Sequence, residues 1–188
     1  LYRVEPPAGE SKIAELTNWE LANRLSYFLW SSMPDAELQR AAREGELSDP
    51  VNLASQAQRM LRGVRECVEM VKQVTSGKFV QGYPGELFKL SRPLKSGWAK
   101  APKPGVFTCS TGPKMLELAG KIADGTQMSD VTPEKIGHHM EHLRAGLAAR
   151  TTPAEDFRIG NFWAWHIKAD REKSMYEARR ELVFRGEL

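Results

Sequence analysis

Residues 106–124, VFTCSTGPKMLELAGKIAD, constrain the fold more than any other stretch: a short apolar run, a Ser-Thr-Gly-Pro turn and an amphipathic run of helical period follow one another without a spacer. The pattern predicts a buried strand over 106–109, a tight turn, and a helix over 114–123. Pro113 falls in the first helical turn, where its missing N–H costs nothing. A helix that starts directly behind a strand aims unbonded amides and the positive end of its dipole outward, which is the geometry of an anion site. Ser110, Thr111 and Gly112 are therefore the candidate anion-binding residues, with a phosphate group as the natural guest.

The same alternation repeats twice. A short strand is expected over 126–129, then a helix over 133–149 opened by Thr132 and Pro133. A further strand is expected over 157–167, with Trp163 and Trp165 on one face, and Asp170 starts a last helix bearing Met175, Ala178 and Leu182. Three consecutive strand–helix pairs favour a parallel sheet, because parallel neighbours need crossovers of about a dozen residues. A doubly wound sheet or part of a barrel would fit.

The first part of the chain reads as helix and turn. Thr17-Asn18-Trp19-Glu20 has the spacing of a capping box, and Leu21, Leu25, Phe28 and Leu29 follow at helical intervals, flanked by Trp19 and Trp30. A second helix is expected over 34–44, ended by Gly45, and Ser48-Asp49-Pro50 starts a third. From Pro50 the period continues through Leu53, Ala57, Met60, Leu61, Val64, Cys67 or Val68, and Val71, and stops at Ser76-Gly77. Gly63 is the one interior flaw, about 1 kcal/mol worse than Ala, and the natural place for a kink or boundary. Residues 78–103 have no period and read as a long loop or lid with a brief strand candidate over 87–90.

With 188 residues and 41% hydrophobic content, the chain can pack one large core or two small ones. No apolar run is long enough to span a membrane, and the opening residues lack a signal-peptide core, so a soluble, cytoplasmic protein is expected. The net charge of +3 divides unevenly: residues 1–62 hold 7 Lys/Arg against 9 Asp/Glu, and residues 63–188 hold 20 against 15. The basic residues are interspersed with acids, the pattern of a solvated surface rather than a nucleic-acid patch. Cys67 and Cys109 form no CxxC or CxxCH motif, which argues for a reducing compartment and against covalent haem. The first residue is Leu rather than Met, which suggests processing or a fragment.

Three further features are weighed. His138-His139-Met140-Glu141-His142 has the H-x-x-E-H spacing of inverted zinc peptidases, with two His one helical turn apart. No third ligand follows downstream, and Ile136, Met140 and Leu143 or Leu147 make that helix a crossover, so a solvated polar face and no metal are expected. Trp163, Trp165 and His166, and likewise Trp19, Tyr27, Phe28 and Trp30, are expected to pack in cores, and Cys109 is expected to be a small buried hydrophobe.

From about Val64 onward, RECVEMVKQVTSGKFVQGYPGELFKL, STGPKMLELAGKIADG and FRIGNFWAWHIKADREKSMYEARREL resemble the C-terminal part of the luciferase-like monooxygenase superfamily, in particular its deazaflavin-dependent reductases. That family folds as a (β/α)₈ barrel with a flavin or deazaflavin at the C-terminal ends of the strands. The resemblance implies a partial barrel of about three βα units in residues 63–188, with Ser110, Thr111 and Gly112 near the phosphate of a deazaflavin coenzyme or FMN. The activity implied is hydride transfer or monooxygenation, and no catalytic residue carries over, because the earlier strands that supply them have no counterpart here. ELANRLSYFLWSSMPDAEL, within 1–62, resembles instead a helical domain of planctomycete-type proteins that also carry cytochrome c-like modules. The whole reads as a fusion of an all-α module with an oxidoreductase segment, inactive by itself; the alternative is a non-catalytic helical interaction module on a scaffold. A partial barrel leaves sheet edges unpaired, so homo-oligomers or other self-association are expected.

Overall fold

In the computed structural model of the chain, residues 15–99, 103–154, 156–163 and 167–184 are described, with 180–184 by backbone alone. They fall into two compact units, Leu1–Pro104 and Gly105–Leu188.

The first unit is built on three helices. Helix α1 (Asn18–Trp30) begins with the capping box: Thr17 Oγ1 accepts the Glu20 N–H at 3.3 Å, and the Glu20 carboxylate accepts the Thr17 N–H at 2.9 Å. Helix α2 (Ala36–Arg43) is capped by Asp35, whose carboxylate accepts the Leu38 N–H and also holds Arg59 through two bonds of 2.7 and 2.9 Å. Gly45 then takes φ 76°, a left-handed conformation in which glycine avoids the Cβ penalty, and a single 3₁₀ turn leads to Asp49. Helix α3 (Pro50–Val74) runs unbroken through Gly63. The glycine therefore neither kinks nor ends the helix. It provides room instead, because a Cβ there would lie 3.0 Å from the Trp30 ring and 3.1 Å from Leu87. Ala22, Leu38, Ala41, Ala42, Leu47 and Met60 form the core, with Leu21, Leu25, Leu29, Trp30 and Leu53 packed around it. The other aromatics of α1 depart from expectation: Trp19, Tyr27 and Phe28 are 42%, 54% and 65% exposed. Small residues, Ala22 and Ser26 of α1 with Ala41 and Ala42 of α2, are buried, and these three rings stay partly in solvent.

Residues 78–94 are more ordered than their lack of period suggested. Strand β1 (Tyr83–Pro84) pairs antiparallel with β2 (Lys89–Leu90), and Val80 bridges Leu94. The candidate strand over 87–90 shortens because Glu66 on α3 accepts the amides of Glu86, Leu87 and Phe88 at 2.8–3.0 Å, which occupies donors a ladder would need.

The second unit is α/β. It contains β3 (Phe107–Cys109), α4 (Pro113–Ile122), β4 (Gly125–Ser129), α5 (Pro133–Ala148), β5 (Arg158–Phe162) and α6 (Arg171–Phe184). The sheet is parallel in the order β3-β4-β5, with Thr108 beside Thr126 and Thr126 beside Ile159. Right-handed crossovers between successive parallel strands put α4 and α5 on the same face. The two helices meet closely: a Cβ on Gly120 would sit 2.6 Å from the Leu143 carbonyl oxygen, and one on Gly146 would overlap the Glu117 carbonyl. Leu116, Met128 and Val131, with Ile136, form the core between helices and sheet. Arg150 closes the far end of α4 by donating to the carbonyls of Gly120 and Ala123 at 3.0 and 2.6 Å.

Two expectations are corrected here. Strand β3 is an edge strand with one open face, so Phe107 is 47% exposed and Cys109 is exposed rather than a buried hydrophobe. The expected strand over 157–167 is confined to Arg158–Phe162; Trp163 is 39% exposed rather than core, and Trp165 and His166 lie outside the described residues. Among the described residues, no helix is long and apolar enough to cross a membrane.

Candidate cofactor site

In a parallel sheet every strand ends on the same edge, so the turns after β3, β4 and β5 are neighbours. Two backbone hydrogen bonds and one from a side chain fix them. The Ser110 N–H donates to the Gln127 carbonyl at 3.0 Å, the Asp130 N–H donates to the Phe162 carbonyl at 2.8 Å, and Asn161 Nδ2 donates to the Val131 carbonyl at 2.8 Å. The Asn161 side-chain oxygen also accepts the Val131 N–H at 3.2 Å, so one amide satisfies both main-chain groups of that residue. Asp130 is left at φ 53°, a conformation non-glycine residues seldom adopt, with the Ser129 hydroxyl donating to its carboxylate at 2.7 Å.

The candidate residues separate into distinct positions. Ser110 is 3% exposed, and its hydroxyl donates inward to Thr108 Oγ1 at 3.1 Å. Thr111 is exposed, and Gly112 is the N-cap of α4 at φ −73°, an ordinary value. Glycine is thus not needed there for its backbone freedom. Helix α4 has no side-chain cap, no acidic residue in its first turn and Pro113 at its start. The next helix start differs. In α5, Glu134 sits in the first turn, and its carboxyl is held below the usual range by the Thr132 hydroxyl and its own backbone N–H. Glu134 thus offsets the positive end of α5, whereas the first turn of α4 carries no acid, although neither helix has a side-chain cap and both open on proline.

The opposite side of the sheet carries Phe107, Cys109, Gln127 and Phe162, the alternates of the helix-facing Thr108, Thr126 and Met128. The Phe107 ring lies over Gly125, and the Gln127 side chain lies over Gly160. This large-over-small alternation is the packing found on the inner wall of a small barrel.

Sequence reasoning overlooked Asn161. The available signal was a single amide within the strand run RIGNF, where a buried polar group needs a specific partner.

Comparison with known proteins finds two similarities. Residues 16–83 match a family model described as PSD4, a protein of unknown function (DUF1592). The 5,10-methylenetetrahydromethanopterin reductase of Archaeoglobus fulgidus is 33% identical over 127 residues, covering 66% of this chain and 36% of the reductase. That reductase is a luciferase-like-family enzyme, and the similarity supports the superfamily. The chain spans 36% of the length of this curated relative.

Proposed function

We propose that residues 63–188 are the C-terminal part of a luciferase-like (β/α)₈ barrel, from an oxidoreductase that carries out hydride transfer or monooxygenation with a deazaflavin or flavin cofactor. The observation that carries this reading is the uncapped, proline-opened start of α4, directly behind a parallel strand at the carboxyl edge of the sheet. The phosphate of the cofactor would rest on the first-turn amides of α4 and on Thr111, with Gly112 allowing close approach and Ser110 holding the turn from beneath. These residues fit a phosphate: the site offers N–H groups, a hydroxyl and no carboxylate in the first helical turn. When bound, the cofactor supplies the redox chemistry, and the protein supplies orientation.

Three strands cannot enclose a ring system, so this chain by itself binds weakly and turns over nothing. The ancestral junction falls at 62/63 within α3, joining the barrel segment to a helical module of planctomycete type; a helix continuous across the junction lets both segments share one apolar stripe. Two free thiols suit a reducing cytoplasm. Fluorescence titration tests the cofactor reading: FMN and deazaflavin coenzyme should be quenched without saturating in the micromolar range, and riboflavin, which lacks phosphate, should bind still more weakly. Equal binding of FMN and riboflavin would contradict the phosphate site.

A second reading rests on the exposed Trp19, Tyr27 and Phe28 of α1: a helical interaction module that carries the function while the βα units act as scaffold. Cofactor indifference together with association lost in Phe28→Ser would favour it. In the first reading, self-association runs through the edges of β3 and β5. Light scattering should then detect dimers or larger species, and a clean monomer at high protein concentration would contradict that.

A further inference from the structure

The H-x-x-E-H run does not form a peptidase centre, yet its histidines are arranged in a way that spacing alone did not reveal. His142 Nδ1 lies 3.0 Å from Glu117 Oε1 on α4. A carboxylate can only accept, so Nδ1 carries the proton and the lone pair is left on Nε2. One turn earlier, the His138 ring stands perpendicular to that of His142 with centroids 4.8 Å apart. His138 Nδ1 is 3.8 Å from Glu141 Oε2, beyond hydrogen-bond distance. His139 turns elsewhere, with Nδ1 2.9 Å from the Lys135 carbonyl.

We propose that His138 and His142 form a surface site for a borderline-soft divalent ion such as Zn²⁺, Ni²⁺ or Cu²⁺, with Glu117 as the positioning residue. Two neutral imidazoles at i and i+4 on one helix face present nitrogen donors to the same ion, a ligand type these metals favour. A carboxylate behind the ring fixes the tautomer and raises ligand basicity, the usual support of a metal-binding histidine. His138 is 65% exposed at its side chain and free to turn its Nε2 toward that of His142. Among the described residues no group of three or more His, Cys, Asp or Glu converges, so water completes the coordination and the ion exchanges readily. The site lies between α4 and α5 and is independent of the cofactor reading.

Calorimetric titration with Ni²⁺ tests it in the full chain, with Cys67 and Cys109 replaced by Ser to remove competing thiolates. One ion should bind per chain. His138→Ala and His142→Ala should each weaken binding at least about tenfold, His139→Ala should leave it unchanged, and Glu117→Gln should weaken it about tenfold. Ring ¹⁵N spectra of the metal-free protein should show His142 as the Nδ1–H tautomer, shifting toward a mixture in Glu117→Leu and returning in Glu117→Asp. His138 is exposed, so His138→Ala tests the site without endangering the fold. Unchanged binding in that variant, or no binding at millimolar Ni²⁺, would overturn the site. An unaltered His142 tautomer in Glu117→Leu, which leaves Nδ1 without an acceptor, would overturn the role of the glutamate.

Discussion

The indole Nε1 of Trp30, the last residue of α1, donates to the main-chain carbonyl of Met60 in the middle of α3 at 2.9 Å. The same ring lies over Gly63 and under the Arg59 guanidinium, 5.5 Å from its centroid. Three residues of one turn of α3 therefore grip a single aromatic side chain. Arg59 extends the contact to α2 through Asp35.

Enlarging Gly63 should break that grip. Gly63→Val would force the Trp30 ring aside and should destabilise the first unit by about 1–3 kcal/mol, the range for overpacking a well-filled contact. Trp30→Phe should lose about 1–3 kcal/mol, since the hydrogen bond disappears and the smaller ring leaves part of the space over Gly63 unfilled. Urea denaturation followed by tryptophan fluorescence for the first variant and by circular dichroism for both would measure the losses; an unchanged midpoint in Gly63→Val would refute the packing role.

The Asn161 amide should control the turn after β4. Asn161→Leu leaves the N–H and carbonyl of Val131 without their partner and should cost about 1–3 kcal/mol. Hydrogen exchange at Asp130 and Val131 should accelerate before the exchange of β3 does. Unaltered exchange at Val131 would show that the turn holds itself.

Acid should loosen the first unit in a defined order. Burial alone would raise the Asp35 carboxyl, but the Arg59 hydrogen bonds, the Leu38 amide and the Arg59 charge outweigh it and hold it below its ordinary value. Glu37 is drawn down to about 2, chiefly by its hydrogen bond to Arg40. A carboxyl depressed in the folded state stabilises at pH above its unfolded pKa and loses that contribution as pH falls through the folded value. The urea midpoint should therefore drop between about pH 5 and pH 2, and Asp35→Asn should flatten the drop. An identical pH slope in the variant would contradict the assignment.

What the sequence made legible was local. The capping box at Thr17 and Glu20, the start at Asp49 and the stop at Gly45 each depend on residues within a few positions and appear as read, while the second helix, expected from Pro34, begins at Ala36 behind an Asp35 cap. The succession of three strands and three helices in the second unit was legible for the same reason, since each change of period announces an element. Exposure was not legible. Phe28 and Phe107 look like core residues in sequence, but whether a ring is covered depends on which element packs over it, and β3 lies at an edge. Glu66 hid the short β1–β2 pairing because its contacts with residues 86–88 join positions some twenty residues apart. In the candidate site the turn itself was readable, but the inward orientation of Ser110 was not, because its partner Thr108 faces the helices only once the strand has paired.

The central claim is that the start of α4 receives the phosphate of a flavin or deazaflavin cofactor. Amide chemical shifts recorded while FMN is added, with riboflavin as control, test it most directly, because weak binding is still located residue by residue. The account predicts movement at Thr111, Gly112, Lys114 and Met115 with FMN and little with riboflavin. Shifts confined to other parts of the chain, or equal with both ligands, would contradict it.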